Sequence, residues 1–274
     1  MATPPTPTLR LLGGAIPYIE GPLKVSGRAE YTDDLKRPGM LVGKLLRAPW
    51  PHARFLRVDI SKARAIPGVF AVLTGEKYPT PFGVLPMTKD ETAIAVDRSR
   101  YIGDIVAAVA AQDELTAERA LRAIEIEVEP LPEYSDPRVG RDRVDVPIHE
   151  KGLHHSNLQK EVVQHFGDVD AAFRSATATV RVRASFAGVT HAFTEPQCTI
   201  AEATPDGRLT VWSSTQVPHY LHRSLAEVLG IPMHRIRVVK PEVGGGFGGK
   251  SDPLPHEIAC AALAVETGRP VKIL

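Results

Sequence analysis

The chain has 274 residues, 43% of them hydrophobic and 24% charged, and its formal net charge is +1. That composition is ordinary for a soluble globular protein of roughly two domains, and it excludes the basic field that nucleic acid or an anionic membrane surface would need. Two cysteines, Cys198 and Cys260, lie far apart with no CxxC spacing, which excludes a self-contained zinc ribbon, an iron–sulfur cluster or a disulfide scaffold.

Residues 1–19 open with MATPPTPTLR, a Pro/Thr-rich stretch without the apolar core of a secretory signal, and read as a frayed lead-in. No run of ~18 apolar residues occurs, so no membrane partner is expected and the reducing cytoplasm is the expected compartment. Met40 to Arg47 reads as a strand ended by Pro49, Trp50 and Pro51. Phe55 to Ile60 alternates as a second strand, and Ser61 caps a short helix broken by Pro67-Gly68. Val69 to Leu73 is a third strand, and the continuous apolar run Ile105 to Ala111 is a buried one. Glu114 to Arg122 is an amphipathic helix, and Ile124, Ile126 and Val128 then alternate with glutamates. Residues 20–131 are therefore expected to form one α+β domain.

Residues 132–157 read as a linker, with His149, His154 and His155 as solvated loop residues rather than metal ligands. The second segment, 158–274, opens with a helix over Asp168 to Ala176. Val180, Val182, Ala184 and Phe186 alternate with polar residues and predict a strand. Cys198 to Ala203 and Leu209 to Ser213 form a hairpin through Pro205-Asp206-Gly207. A helix follows over His219 to Leu229, stopped by Gly230 and Pro232. Ile236, Val238 and Val239 then lead into Val243-Gly244-Gly245-Gly246-Phe247-Gly248-Gly249-Lys250-Ser251. Asp252 caps and Pro253 opens a last helix to Thr267, and Val271 to Leu274 begins a further strand.

Three ligands compete for that glycine loop. Gly244, Gly249, Lys250 and Ser251 satisfy the phosphate-binding G-x-x-x-x-G-K-S, and Gly244, Gly246 and Gly249 satisfy the dinucleotide G-x-G-x-x-G. Pro253 and Pro255 would remove backbone donors from the phosphate-binding helix, and only 24 residues follow Lys250 to supply a Walker-B strand. The dinucleotide pattern lacks its acidic strand end, because Glu266 falls at the end of a helix. A ligand-free turn is the remaining plain reading. An unbroken GGGFGG is costly in chain entropy, however, and suggests that something must approach closely.

Read whole, GGGFGGK resembles the glycine loop of the molybdenum hydroxylases, the xanthine dehydrogenase and aldehyde oxidase family. The whole chain is similar to the N-terminal part of that family's molybdopterin-binding subunit. Gly21-Pro22-Leu23-Lys24-Val25-Ser26-Gly27-Arg28-Ala29, Tyr31-Thr32-Asp33-Asp34, Arg47-Ala48-Pro49, His52-Ala53-Arg54, Ile66-Pro67-Gly68-Val69 and Tyr101-Ile102-Gly103-Asp104 look like its α/β-hammerhead domain. Glu195-Pro196, Ser214-Thr215-Gln216 and Thr267-Gly268-Arg269-Pro270-Val271-Lys272 continue the series. The fold implied is α+β: a hammerhead domain, then the incomplete start of a molybdopterin-binding domain.

The resemblance implies a molybdenum–molybdopterin cofactor, in the cytosine dinucleotide form, with no direct protein ligand to the metal. It implies that Gln216 hydrogen-bonds an oxo group and that Gly245, Gly246, Phe247, Gly248 and Gly249 wrap the metal face. Lys250 and Ser251 are implied at the substrate, a small aromatic, heterocyclic or aldehyde molecule. Purine-oxidising members resemble GGKE where this chain has Ser251, and Gly249 to Pro253 with His256-Glu257 looks like the 4-hydroxybenzoyl-CoA reductase branch. Partner subunits would carry iron–sulfur clusters and FAD. Family members continue well beyond this length, and the glutamate base belongs to that further part. The expectation is a truncated or split subunit, inactive alone and completed by a separately encoded C-terminal half. A non-catalytic assembly module and a P-loop nucleotide-binding protein are the alternatives.

Overall fold

The computed structural model describes residues 15–84, 89–141, 143, 145–150 and 156–274. In chain order, helix α1 (Gly21–Val25) precedes strands β1 (Leu41–Arg47) and β2 (Ala53–Asp59), helix α2 (Ser61–Arg64) and strand β3 (Val69–Thr74). Strands β4 (Arg98–Ser99) and β5 (Ile105–Ala111), helix α3 (Glu114–Arg122) and strand β6 (Glu125–Pro130) complete the first half. Helices α4 (Pro137–Gly140) and α5 (Val169–Ser175) lead to β7 (Thr199–Ala203), β8 (Leu209–Ser213) and α6 (Pro218–Leu229). Strand β9 (Ile236–Val239), helix α7 (Pro255–Thr267) and strand β10 (Val271–Ile273) follow.

Seven strands form one mixed sheet in the order β3-β5-β1-β10-β7-β8-β9, and β4-β2-β6 form a second. The large sheet crosses the boundary expected between residues 20–131 and 158–274. Strands β1 and β10 run parallel, with Leu41 opposite Val271 and Gly43 opposite Ile273. Leu41 N donates to Pro270 O at 2.7 Å, and the Arg269 guanidinium donates to Gly39 O at 2.7 Å.

Strand β5 is covered on both faces, which explains why its sequence IVAAVAA carries no polar alternation. Ala108 and Ala110 join the core beneath α7, while Ala107, Val109 and Ala111 meet Ala117 and Ala120 of α3. Helix α7 is enclosed, with every residue from His256 to Ala264 buried. It begins two residues later than Pro253. Pro255 takes its first position, and Glu257 reaches back to accept the Leu254 N–H at 2.7 Å.

The strand expected at Val180 to Phe186 does not form. Residues 176–198 carry no helix or strand, and Val180, Val182 and Phe186 are 85%, 80% and 94% exposed. Alternation becomes a strand only where a neighbour supplies the ladder and a core takes the apolar face, and neither occurs there among the described residues. The expected linker is tied back on itself: Tyr134 OH donates to Val146 O at 3.1 Å, and Asn157 Oδ1 accepts from Ile148 N at 2.8 Å. His149, expected in solvent, sits with Nδ1 3.4 Å from Asp90 Oδ2, and burial draws its pKa down. His154 and His155 lie outside the described residues. Among the described residues no cluster of His, Cys, Asp and Glu could hold a metal ion. No helix among them is long and apolar enough to cross a membrane.

Candidate functional site

Strand β9 delivers the chain to the glycine loop, whose sharpest part is a turn from Gly246 to Gly249 closed by Gly249 N donating to Gly246 O at 2.7 Å. Phe247 occupies this turn with φ +50° and is 74% exposed. A bulky L-residue at positive φ costs about 1–2 kcal/mol, so its ring is held out at an energetic cost rather than anchored in the core.

The glycines answer first to protein neighbours. A Cβ on Gly246 would stand 2.5 Å from Gln216 Oε1, and one on Gly249 would stand 2.8 Å from the His191 ring. The close approach anticipated for a ligand is, at these two positions, an approach of the loop to its own floor. That floor is built with a period of two. His191 lies under Gly249, Phe193 under Gly245 and Gly249, and Glu195 under Gly244, while Gln197 Nε2 donates to Gly249 O at 3.3 Å. Glu195-Pro196 was legible as a motif. The odd-numbered run from 191 to 197 is the signal that would have identified the rest.

Gln216 follows β8 and the buried Ser214 and Thr215. Its Oε1 accepts from Gly248 N, Lys250 N and Ser251 Oγ, each at 3.2 Å, and its backbone N donates to Lys250 O at 2.9 Å. Two backbone donors fix which end of the amide is oxygen. The Nε2 group therefore faces away from the loop, and no group among the described residues accepts from it. The N–H groups of Gly246 and Phe247 likewise have no acceptor among the described residues. Successive unclaimed amides around a positive-φ residue make a concavity for an anion or an oxo group.

Lys250, expected at the substrate, is 1% exposed. Its Nζ donates to Glu195 Oε2 at 2.8 Å and Glu195 O at 3.0 Å, and lies 4.6 Å from the centre of the Phe193 ring. Ser251, also expected there, gives its hydroxyl to Gln216. A P-loop needs its Lys and Ser in the first turn of a helix, with the ammonium free for phosphate. Here α7 starts only at Pro255 and the ammonium is committed.

Behind the loop, Glu257 and His256 are enclosed in α7. Burial pushes the Glu257 carboxyl up to about 7, opposed by Ser213 Oγ donating to it at 2.5 Å and by the Leu254 N–H. Burial, assisted by the Arg47 charge, draws His256 down to about 4.

With this geometry in place, family models match two stretches. Residues 26–132 match the a/b hammerhead domain of aldehyde oxidase and xanthine dehydrogenase, and residues 151–274 match the molybdopterin cofactor-binding domain. The chain belongs to the molybdenum hydroxylase family of xanthine dehydrogenases and aldehyde oxidases, and fits the N-terminal portion of its molybdopterin-binding subunit. It is 36% identical over 265 residues to a putative xanthine dehydrogenase molybdenum-binding subunit of Escherichia coli, covering 93% of this chain and 35% of that protein. It is 38% identical over 253 residues to the nicotinate dehydrogenase large molybdopterin subunit of Eubacterium barkeri, covering 92% and 58%. Among solved structures it superposes on quinoline 2-oxidoreductase from Pseudomonas putida with a TM-score of 0.80 and 28% identity, covering 96% of this chain and 34% of that one. The chain thus spans about a third to little more than half of the curated relatives' length.

The residues present fit a pterin-held molybdenum group. They offer an outward amide donor at Gln216, two unclaimed N–H groups at Gly246 and Phe247, and an exposed aromatic ring beside them.

Proposed function

We propose that this chain builds one wall of a molybdenum–pterin site in an oxidoreductase subunit, and that an aromatic, heterocyclic or aldehyde substrate reacts there once the remainder of the subunit is present. The observation that carries this is the pinned carboxamide of Gln216, which leaves a neutral donor beside the free amides of the loop. The cofactor, in the cytosine dinucleotide form, supplies oxygen-atom and two-electron chemistry when bound. Gln216 and the Gly246 and Phe247 amides orient it, and Gly245, Gly248 and Gly249 give the loop its path around them. The Phe247 ring screens the metal face from water, and neutral Ser251 leaves no second charge there. No side chain of this chain is assigned as the proton-accepting base. Glu195 is bound to Lys250 and Gly244 N, and Glu257 to Ser213 and Leu254 N. Electrons pass to or from iron–sulfur and FAD subunits.

The test is to produce the chain with and without a polypeptide corresponding to the remaining length of its relatives, and to measure molybdenum and pterin in the purified material. Molybdenum near one per complex, lost in Gln216→Ala, supports the reading. A stable complex without molybdenum refutes it and leaves a non-catalytic assembly module. Reductive dehydroxylation of a 4-hydroxybenzoyl thioester is a second reading, supported by Ser251 standing in the run Gly249 to Pro253. Turnover of that thioester by the reduced complex, with no oxidation of purine or nicotinate, would select it.

A further inference from the structure

The geometry points to Lys250 as a positioning residue. We propose that the buried Lys250–Glu195 pair is a latch that closes the glycine loop at both ends and holds the Gly246 and Phe247 amides in one fixed position. Glu195 is the common post. Its Oε2 accepts from Gly244 N at 2.8 Å, where the loop begins, and from Lys250 Nζ at 2.8 Å, where the loop ends. Its backbone takes part as well: Glu195 N donates to Gly244 O at 3.1 Å, and Glu195 O accepts from Lys250 Nζ at 3.0 Å. Five loop residues thus span two points fixed to one side chain.

The enclosure of the pair shows that it is not an ordinary surface bridge. The side chains are 1% and 8% exposed, and the Phe193 ring lies against the ammonium. Glu195 Oε1 is buried with no hydrogen-bond partner, so the carboxylate is incompletely satisfied. Two charges taken out of water with one oxygen left bare are a poor way to stabilise a fold. They are an effective way to permit a single loop conformation, because any opening strands an ammonium among Phe193 and buried backbone. Phe247 at φ +50° is the kind of conformation that needs such over-determination. The role of the held amides rests on the proposed function; the latch itself does not.

Amide hydrogen exchange on the 274-residue chain separates a latch from a general stabilising contact. In Lys250→Met, peptides covering 243–251 are expected to exchange at least about tenfold faster while β8 and α6 keep their protection. In Glu195→Gln with Lys250→Met, both charges are gone but an amide oxygen remains for Gly244 N. This double variant is expected to melt close to the parent while the loop stays fast. Unchanged loop protection in Lys250→Met, or loop protection restored in the double variant, overturns the proposal. Equal acceleration throughout the chain in both variants overturns it as well. A second readout is molybdenum content in the co-produced complex. The double variant is expected to lose cofactor despite normal folding, and full retention would contradict the latch. If the parent complex itself holds no molybdenum while the loop loosens as expected, the functional reading falls and the latch stands.

Discussion

Two side chains at the loop carry separable jobs. Gln216 turns its oxygen to the loop and leaves its nitrogen without an acceptor among the described residues. Gln216→Glu keeps the acceptor and discards the donor. Its melting midpoint is expected to stay within about 2 °C of the parent, while molybdenum content in the co-produced complex drops; equal loss of both would mean the donor has no separate role. Phe247 is expected to show the opposite. Because its ring is exposed and its φ positive, Phe247→Gly relieves strain and is expected to raise stability by about 0.5–1 kcal/mol in urea titration. A loss instead would show that the ring packs in solution. Gln216, Lys250 and the glycines stood out in the sequence because their residue types fitted a known loop. The direction of each did not. That Lys250 turns inward depends on Glu195, 55 positions away, and no local pattern encodes such a pairing.

Among the elements, α7 shows most clearly what patterning reveals and hides. Pro253, Gly268 and Pro270 announced its ends to within two residues, the helix starting at Pro255. Its burial on all sides was not announced, since His256 and Glu257 read as polar positions. Their enclosure gives a pH test. Between pH 4.5 and 6.5 the folded chain holds one proton on this pair, on Glu257, because the carboxyl titrates at about 7 and the imidazole at about 4. The unfolded chain, with usual values of 4.5 and 6.5, also holds one, but on His256. The pair therefore contributes almost no slope to stability in that window. Single variants unmask it. With His256→Gln, only the raised carboxyl remains: its stabilisation is complete below pH 4.5 and lost as pH rises through 7. With Glu257→Gln, only the depressed imidazole remains: its stabilisation is present above pH 6.5 and lost as pH falls through 4. Slopes of opposite sign, up to about 1.4 kcal/mol per pH unit, are expected in urea titrations at stepped pH. Two flat profiles would contradict the enclosure.

For the molecule as a whole, the sequence supports the strands but not their assembly. The β1, β5, β7 and β8 runs are each readable, yet nothing in residues 41–47 foretells that their neighbour is β10. The two family models divide the chain where the sheet does not. Removing residues 271–274 is accordingly expected to abolish cooperative melting rather than trim an end, because β10 separates β1 from β7. A two-state melt in that truncation would show that the two halves are independent. The bare segment around Val180, Val182 and Phe186 bears a strand's pattern without a strand's partner. Limited proteolysis is expected to cut there in the chain alone and to be suppressed by the polypeptide that supplies the rest of the relatives' length; unchanged cutting would place the partner elsewhere.

The central position of β10 also sets a timetable. Gly39 and Arg269, which meet beside the β1–β10 ladder, are 230 residues apart in the chain. At about 5–20 residues per second on the ribosome, β1 and β5 wait on the order of 10–50 s before the strand that joins them to β7 has been made. Through that interval the nascent first half presents a naked strand edge at β1, which stays open to wrong pairing until β10 has been made.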